Sequence, residues 1–104
     1  MANHLVTARI RLDRLDELEE LLRSGNFADT PGMRDELVEG LRHALMLTDM
    51  IAVWEEDLPA DDLLMKERDA TVTRFFSVHT ANKRERGSGW EMLREFPRLF
   101  PEFQ

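Results

Sequence analysis

One stretch restricts the fold of this chain more than any other: Met50-Ile51-Ala52-Val53-Trp54-Glu55-Glu56-Asp57. It holds the longest apolar run, is rich in β-branched and aromatic residues, and is closed by acids and then by Pro59, which cannot continue a central strand. These features predict a central strand. Alternation puts Ile51, Val53 and Glu55 on one face and Met50, Ala52, Trp54 and Glu56 on the other. Both faces carry apolar surface, so a helix layer is needed on one and a second layer on the other. In a chain of 104 residues, a second copy of the protein is one source of that second layer.

The length fits one domain, and a domain of this size buries only about two thirds of its unfolded surface, so association would add to its stability. A formal net charge of −7 argues against a nucleic-acid partner, which calls for clustered Lys and Arg on a basic domain. The one basic cluster, Lys83-Arg84-Glu85-Arg86, is interrupted by a glutamate and reads as a solvated strand end. The absence of cysteine removes disulfides, thiolate metal sites and cysteine nucleophiles, and makes the cytoplasm the default location. Arg9, Arg11, Asp13 and Arg14 interrupt any signal-like segment, and no run approaches the roughly 20 apolar residues of a membrane helix.

Residues 4–12 alternate, with Val6, Ala8, Ile10 and Leu12 on one face and Leu5, Thr7, Arg9 and Arg11 on the other, which predicts a first strand. Asp13 stands where an N-cap belongs, and Leu15, Leu18, Leu21 and Leu22 form a stripe at helical spacing ending at Ser24-Gly25. After a loop anchored by Phe27, Thr30-Pro31 reads as an N-cap followed by a proline at the first helical position. From there one long helix to about Leu47 is possible. The other possibility is a short helix to about Glu39 followed by a strand over 41–47 and a turn at Thr48-Asp49. Gly40 favours the break, because glycine weakens a helix interior by ~1 kcal/mol relative to alanine. Residues 58–62 then turn the chain into a helix whose buried side carries Leu64, Met65, Val72, Phe75 and Phe76, with Arg68 and Asp69 intruding on the stripe. A last strand over 78–84 sets Val78, Thr80, Asn82 and Arg84 opposite His79, Ala81 and Lys83. Gly87-Ser88-Gly89 separates this domain, 1–86, from an aromatic tail, 87–104, that packs on the domain or on a partner subunit. Its Trp90, Phe96, Leu99 and Phe100 are interface candidates, since large apolar patches mark interfaces.

Strand, helix, strand, strand, helix, strand is the split βαβ, or ferredoxin-like, order. Over about residues 3–86 the chain resembles the dimeric α/β-barrel superfamily, in which two such subunits press their open sheet faces together. That superfamily includes small antibiotic-biosynthesis and heme-degrading monooxygenases, muconolactone isomerase and YCII-like proteins. The expected fold class is therefore α+β, ferredoxin-like, with an extra short helix before the second strand and a sheet-face homodimer. A closer resemblance is to a family of small bacterial proteins with no assigned activity. It rests on Ala52-Val53-Trp54-Glu55-Glu56, Met65 through Arg68, Arg74-Phe75-Phe76, Gly87-Ser88-Gly89-Trp90 and Pro97-Arg98-Leu99. Between Asp57 and Leu64 the chain departs from that pattern, lacking the aromatic and the cysteine expected there.

The acids Glu55, Glu56, Asp57, Asp61 and Asp62 offer hard-cation ligands, but they follow no EF-hand spacing, and alternation sends Glu55 and Glu56 to opposite faces. No metal and no other cofactor is expected. His4, His43 and His79 show no metal-binding spacing, although His43 and His79 could meet in space from different strands. Ser88 lacks the Gly-x-Ser-x-Gly elbow of a nucleophile. A cleft on the open sheet face is the stronger candidate. With the first and third strands adjacent, Thr7 and Arg9 would approach Ala52, Trp54 and Glu56 and form a ligand site for a small organic anion. A glutamate beside an indole is expected to have its pKa raised into the range for proton transfer, with Glu56, His43 and His79 as catalytic candidates. The competing and favoured reading makes Trp54 dimer core and Arg9 with Glu56 an interfacial ion pair. The expected function is thus a homodimer that binds a small molecule or serves as an interaction module, without nucleic acid or membrane. The alternatives are a cofactor-independent monooxygenase or isomerase and a subunit docked on a different protein through its tail.

Overall fold

The structure, a computed structural model, describes residues 2–27, 30, 32–48, 50–83 and 96–100. The apolar run forms β3 (Ile51–Leu58), which lies inside a four-stranded antiparallel sheet between β1 (Ala2–Ile10) and β2 (Leu45–Thr48). β4 (Phe76–Lys83) pairs with the far side of β1, giving the order β2-β3-β1-β4. Three helices complete the described elements: α1 (Leu15–Ser24), α2 (Asp35–Arg42) and α3 (Asp62–Phe75). The molecule is an α+β fold whose element order agrees in broad terms with the ferredoxin-like expectation, including the extra short helix before β2.

Register decides which face holds the core. Val6 lies opposite Trp54 and Ala8 opposite Ala52, so these side chains point the same way. They meet Ile10, Phe76 and the buried stripes of all three helices, including Leu18 and Leu22 from α1, Leu37 and Leu41 from α2, and Val72 and Phe75 from α3. Trp54 packs on Phe76 at 5.0 Å between ring centroids, tilted by 45°. The helices therefore cover the Trp54 face, and the face of Thr7, Val53 and Glu55 is the one turned away from them.

The leucine stripe explains α1, and Gly25 ends it at φ 69°, donating its N–H to the Leu21 carbonyl at 3.3 Å. On the solvated side Glu17 accepts from Arg14 and from Arg74 of α3, each at 2.8 Å. The hydrogen bond from Arg14 is the main cause that holds Glu17 below its usual carboxylate range, and Glu17 in turn holds Arg14 above its own. These exposed pairs tie α1 to α3 without contributing much stability.

Several boundaries differ from expectation. β1 stops at Ile10, and Leu12 lies in a 3-10 turn, Leu12–Arg14, where it is exposed. Arg11 directs this turn by donating its main-chain N–H to the Phe75 carbonyl at 2.9 Å and its Nε to the Thr73 carbonyl at 3.0 Å. Asp13 consequently falls inside the turn, and Arg14 precedes α1 without a side-chain cap. α2 starts at Asp35, with Arg34 rather than Thr30 at its N-cap, and Pro31 lies outside the described residues. Gly40 does not break α2. A Cβ there would fall 2.6 Å from the Glu55 carbonyl oxygen and 2.7 Å from Trp54 Cδ1, so glycine permits α2 to lie directly on β3. The hairpin strand follows as expected but begins at Leu45 rather than residue 41. α3 passes straight into β4 at Phe76, whose φ of −134° is already extended, and Leu64 is exposed on its first turn.

Of the tail, residues 97–99 lie along the outer edge of β2. Met46 donates its N–H to the Pro97 carbonyl at 2.7 Å, and Leu99 donates to Ala44 at 2.8 Å. Leu99 and Phe100 then enter the core, while Phe96 stays exposed.

Candidate functional site

The polar group held deepest in the core joins β3 to α3. Trp54 and Glu56 share the helix-facing side of β3 because they are two residues apart. Arg68 reaches them because it occupies the buried stripe of α3, four residues before Val72 and seven before Phe75. Glu56 Oε1 accepts from Trp54 Nε1 at 3.0 Å and from Arg68 Nη2 at 2.7 Å, and Oε2 accepts from Arg68 Nε at 3.0 Å. The remaining guanidinium nitrogen, Nη1, donates to Asp69 Oδ1 at 3.0 Å. Trp54, Glu56 and Arg68 are respectively 0%, 2% and 1% exposed, whereas the Asp69 side chain reaches solvent.

Burial disfavours the charged guanidinium, but the hydrogen bonds and charge of Glu56, helped by Asp69, outweigh it and hold Arg68 above its usual value. The fork of Nε and Nη2 on one carboxylate is the strong bidentate geometry. A forked pair with both carboxylate oxygens committed, sealed from solvent, fastens α3 to the sheet. It offers no free group to a substrate. Trp54 and Glu56 are thus withdrawn from the role of substrate-touching residues.

The expected ligand cluster is divided between the two faces. β1 does lie beside β3, but Thr7 stands opposite Val53 and Arg9 opposite Ile51, not opposite Ala52 and Trp54. Thr7 and Arg9 therefore face away from the helices, and Trp54 and Glu56 face toward them. An Arg9–Glu56 ion pair is excluded within one subunit by the sheet itself. The β3 carboxylates that share a face with Arg9 are Glu55 and Asp57, and Glu55 Oε1 accepts from Asn3 Nδ2 at 2.8 Å.

The histidines do not converge. His43 sits at the C-terminal end of α2, not on a strand, with Nδ1 donating to the Glu39 carbonyl at 3.0 Å and lying 3.3 Å from Glu39 Oε1. His79 lies on β4 opposite Ala8, at the other margin of the sheet. Three strand spacings of ~4.8 Å separate those margins. Of the acids, Asp61 caps α3 by accepting from the Leu64 N–H at 3.0 Å, and Glu55 and Glu56 do take opposite faces. Among the described residues no group of three or more His, Asp or Glu side chains could hold a metal ion, and no helix is long and apolar enough to cross a membrane.

Of the interface candidates, Leu99 and Phe100 are core residues of their own subunit, Phe96 is exposed, and Trp90 lies outside the described residues. Arg68 is the residue that sequence reasoning undervalued. Its signal was present: a cation at a buried helical position and an acid at a core-facing strand position require each other. No protein-family model, no curated protein and no solved structure matches this chain.

Proposed function

We propose that this chain is a binding module that works as a homodimer through the sheet face opposite its helices. The observation that carries this reading is the uneven cover of that face. Leu45, Val53 and Glu55, on the β2–β3 half, are buried. On the β1–β4 half, Leu5 and Thr7 are only half-buried, and Arg9, Val78, Thr80 and Asn82 are exposed. Among the described residues no helix lies over this half. A half-open sheet face with apolar and polar residues interspersed suits a second copy, as in the dimeric α/β barrels that the element order resembles, and a small ligand held at the seam.

Light scattering coupled to size exclusion tests this reading across a dilution series. The expected result is a dimer that persists into the low micromolar range or below, roughly the affinity of a modest specific interface. Val78→Lys, on the exposed β4 row, should push the protein toward monomer while leaving nearly unchanged the melting temperature measured where parent and variant are both dilute enough to be monomeric. A monomer at every concentration overturns the proposal, and so does an unaltered dimer in the Val78→Lys variant.

A further inference from the structure

β4 is an edge strand, and its outer side carries few of the devices that keep such an edge from pairing. It ends the order β2-β3-β1-β4, and among the described residues nothing pairs with that side. It runs for eight residues without proline. Its one register irregularity against β1 lies before His79, so residues 79–83 are regular. Beyond Phe76 it is bare on both faces: Ser77, Val78, Thr80, Ala81 and Asn82 are exposed and His79 is half-buried. A long, regular edge of this kind is a template for a further strand.

Main-chain geometry determines which groups the edge offers. Ile10 donates its N–H toward β3, to the Met50 carbonyl at 2.7 Å. The alternate residues Ala8 and Val6 therefore turn their main-chain groups to β3, and Thr7 and Leu5 turn theirs to β4. Thr80 and Asn82, opposite Thr7 and Leu5, are thus bonded to β1. His79 and Ala81 point their N–H and C=O groups outward from the edge.

Two copies of this edge fit each other. The chain has a net charge of −7, yet no Asp or Glu occurs between Asp69 and Glu85, so paired β4 strands set no carboxylates against each other. Antiparallel pairing centred on Thr80 matches His79 of each copy with Ala81 of the other, each pair exchanging both its bonds. It also sets Thr80 beside Thr80, a favourable cross-strand pair, and Val78 beside Asn82. A register centred on Ala81 instead sets His79 against the partner's Lys83.

We propose that β4 is a self-recognition edge, through which two copies join antiparallel around Thr80 so that their four-stranded sheets become one continuous sheet. This contact uses a different surface from the face-paired homodimer and does not rest on it. It lays the open β1–β4 halves of two copies side by side. A single strand edge buries well under the ~1,200 Å² of ordinary specific interfaces, so the step is weak, with a dissociation constant of roughly 0.1–1 mM.

The dilution series, extended upward to about 1 mM on the full-length protein, tests this. The mass should climb past that of the face-paired dimer toward twice its value. Ala81→Pro removes an outward N–H without taking one from the β1 ladder, a position where edge strands tolerate proline. It should raise the dissociation constant of the weak step about tenfold or more, leaving unchanged the tighter step and the unfolding midpoint of the dilute protein. If Ala81→Pro lowers that midpoint, Thr80→Lys takes its place, since two cations then meet at the centre of the pairing and weaken the same step. A mass that never rises above the dimer overturns the edge proposal and leaves the face-paired dimer standing. So does a rise unaltered by the variant that keeps the parent's midpoint. A parent that is monomeric at micromolar concentration overturns the face-paired dimer alone, and the edge then shows as a weak step from monomer to dimer that Ala81→Pro removes. A monomer up to the highest concentration overturns both.

Discussion

Arg68 and Glu56 bear most directly on stability at the level of single residues. Taking either partner away leaves a buried, uncompensated charge, which typically costs about 3–5 kcal/mol. Arg68→Ala and Glu56→Ala should each lower the urea-unfolding free energy by about that much, in the upper range for a domain of this size. The pair Arg68→Met with Glu56→Leu should cost far less than the sum of the singles, because apolar side chains of similar volume need no countercharge. Additive losses would mean that the two side chains do not depend on each other. Glu56 and Trp54 were legible as an interacting neighbourhood, since they stand two apart on one strand. What sequence could not assign was the face. A strand apolar on both sides carries no sign of which side the helices take, and the choice of side decides whether Trp54 meets Arg9 or Arg68. The cleft reading takes β1 and β3 as neighbours, which they are, but groups Thr7 and Arg9 with residues of the other face.

Elements differed in how far their own residues determined them. α1 and β3 were readable because their patterns hold without interruption: four leucines at helical spacing closed by Gly25, and an apolar run closed by acids and Pro59. α2 was harder, because Gly40 has two meanings that sequence cannot separate, a helix breaker and a place where another chain segment comes close. Packing selects the second, with Glu55 and Trp54 of β3 within 3 Å of where a Cβ would be. This sets an expectation opposite to propensity. In a solvated helix Gly→Ala gains ~1 kcal/mol. In α2, Gly40→Ala should instead destabilise by about 1–3 kcal/mol, as overpacked cores do, because the nearest atom is a main-chain oxygen that cannot swing aside. Denaturant titration with tryptophan emission as the probe measures this, and a neutral or more stable variant would mean that α2 stands off β3. The β1–α1 junction was misjudged for a related reason: Asp13 is a good cap by local rules, but Arg11 bonds to the end of α3 and imposes a 3-10 turn before the helix can begin.

For the molecule as a whole, the question is which surfaces the chain closes for itself and which it leaves to a partner. Residues 97–99 close the outer edge of β2 with two main-chain hydrogen bonds, and Leu99 and Phe100 are buried in the core. The aromatic tail was expected as an interface because its apolar content is too high for solvent, and composition alone cannot tell own core from partner contact. Phe100 is 1% exposed, which separates the two meanings by experiment. Phe100→Ala should lower the unfolding free energy by about 3–5 kcal/mol, as buried aromatic truncations do. Its dissociation constant for self-association, measured where the variant remains folded, should match the parent. Val78→Lys should show the reverse, a weakened dimer with the stability of the dilute monomer unchanged, since Val78 contributes to no core but stands on the open row of β4. If Phe100→Ala instead dissociated the dimer while leaving the unfolding midpoint in place, the tail would belong to the interface. The open β1–β4 half of the sheet face would then have no claim to be the surface on which copies meet.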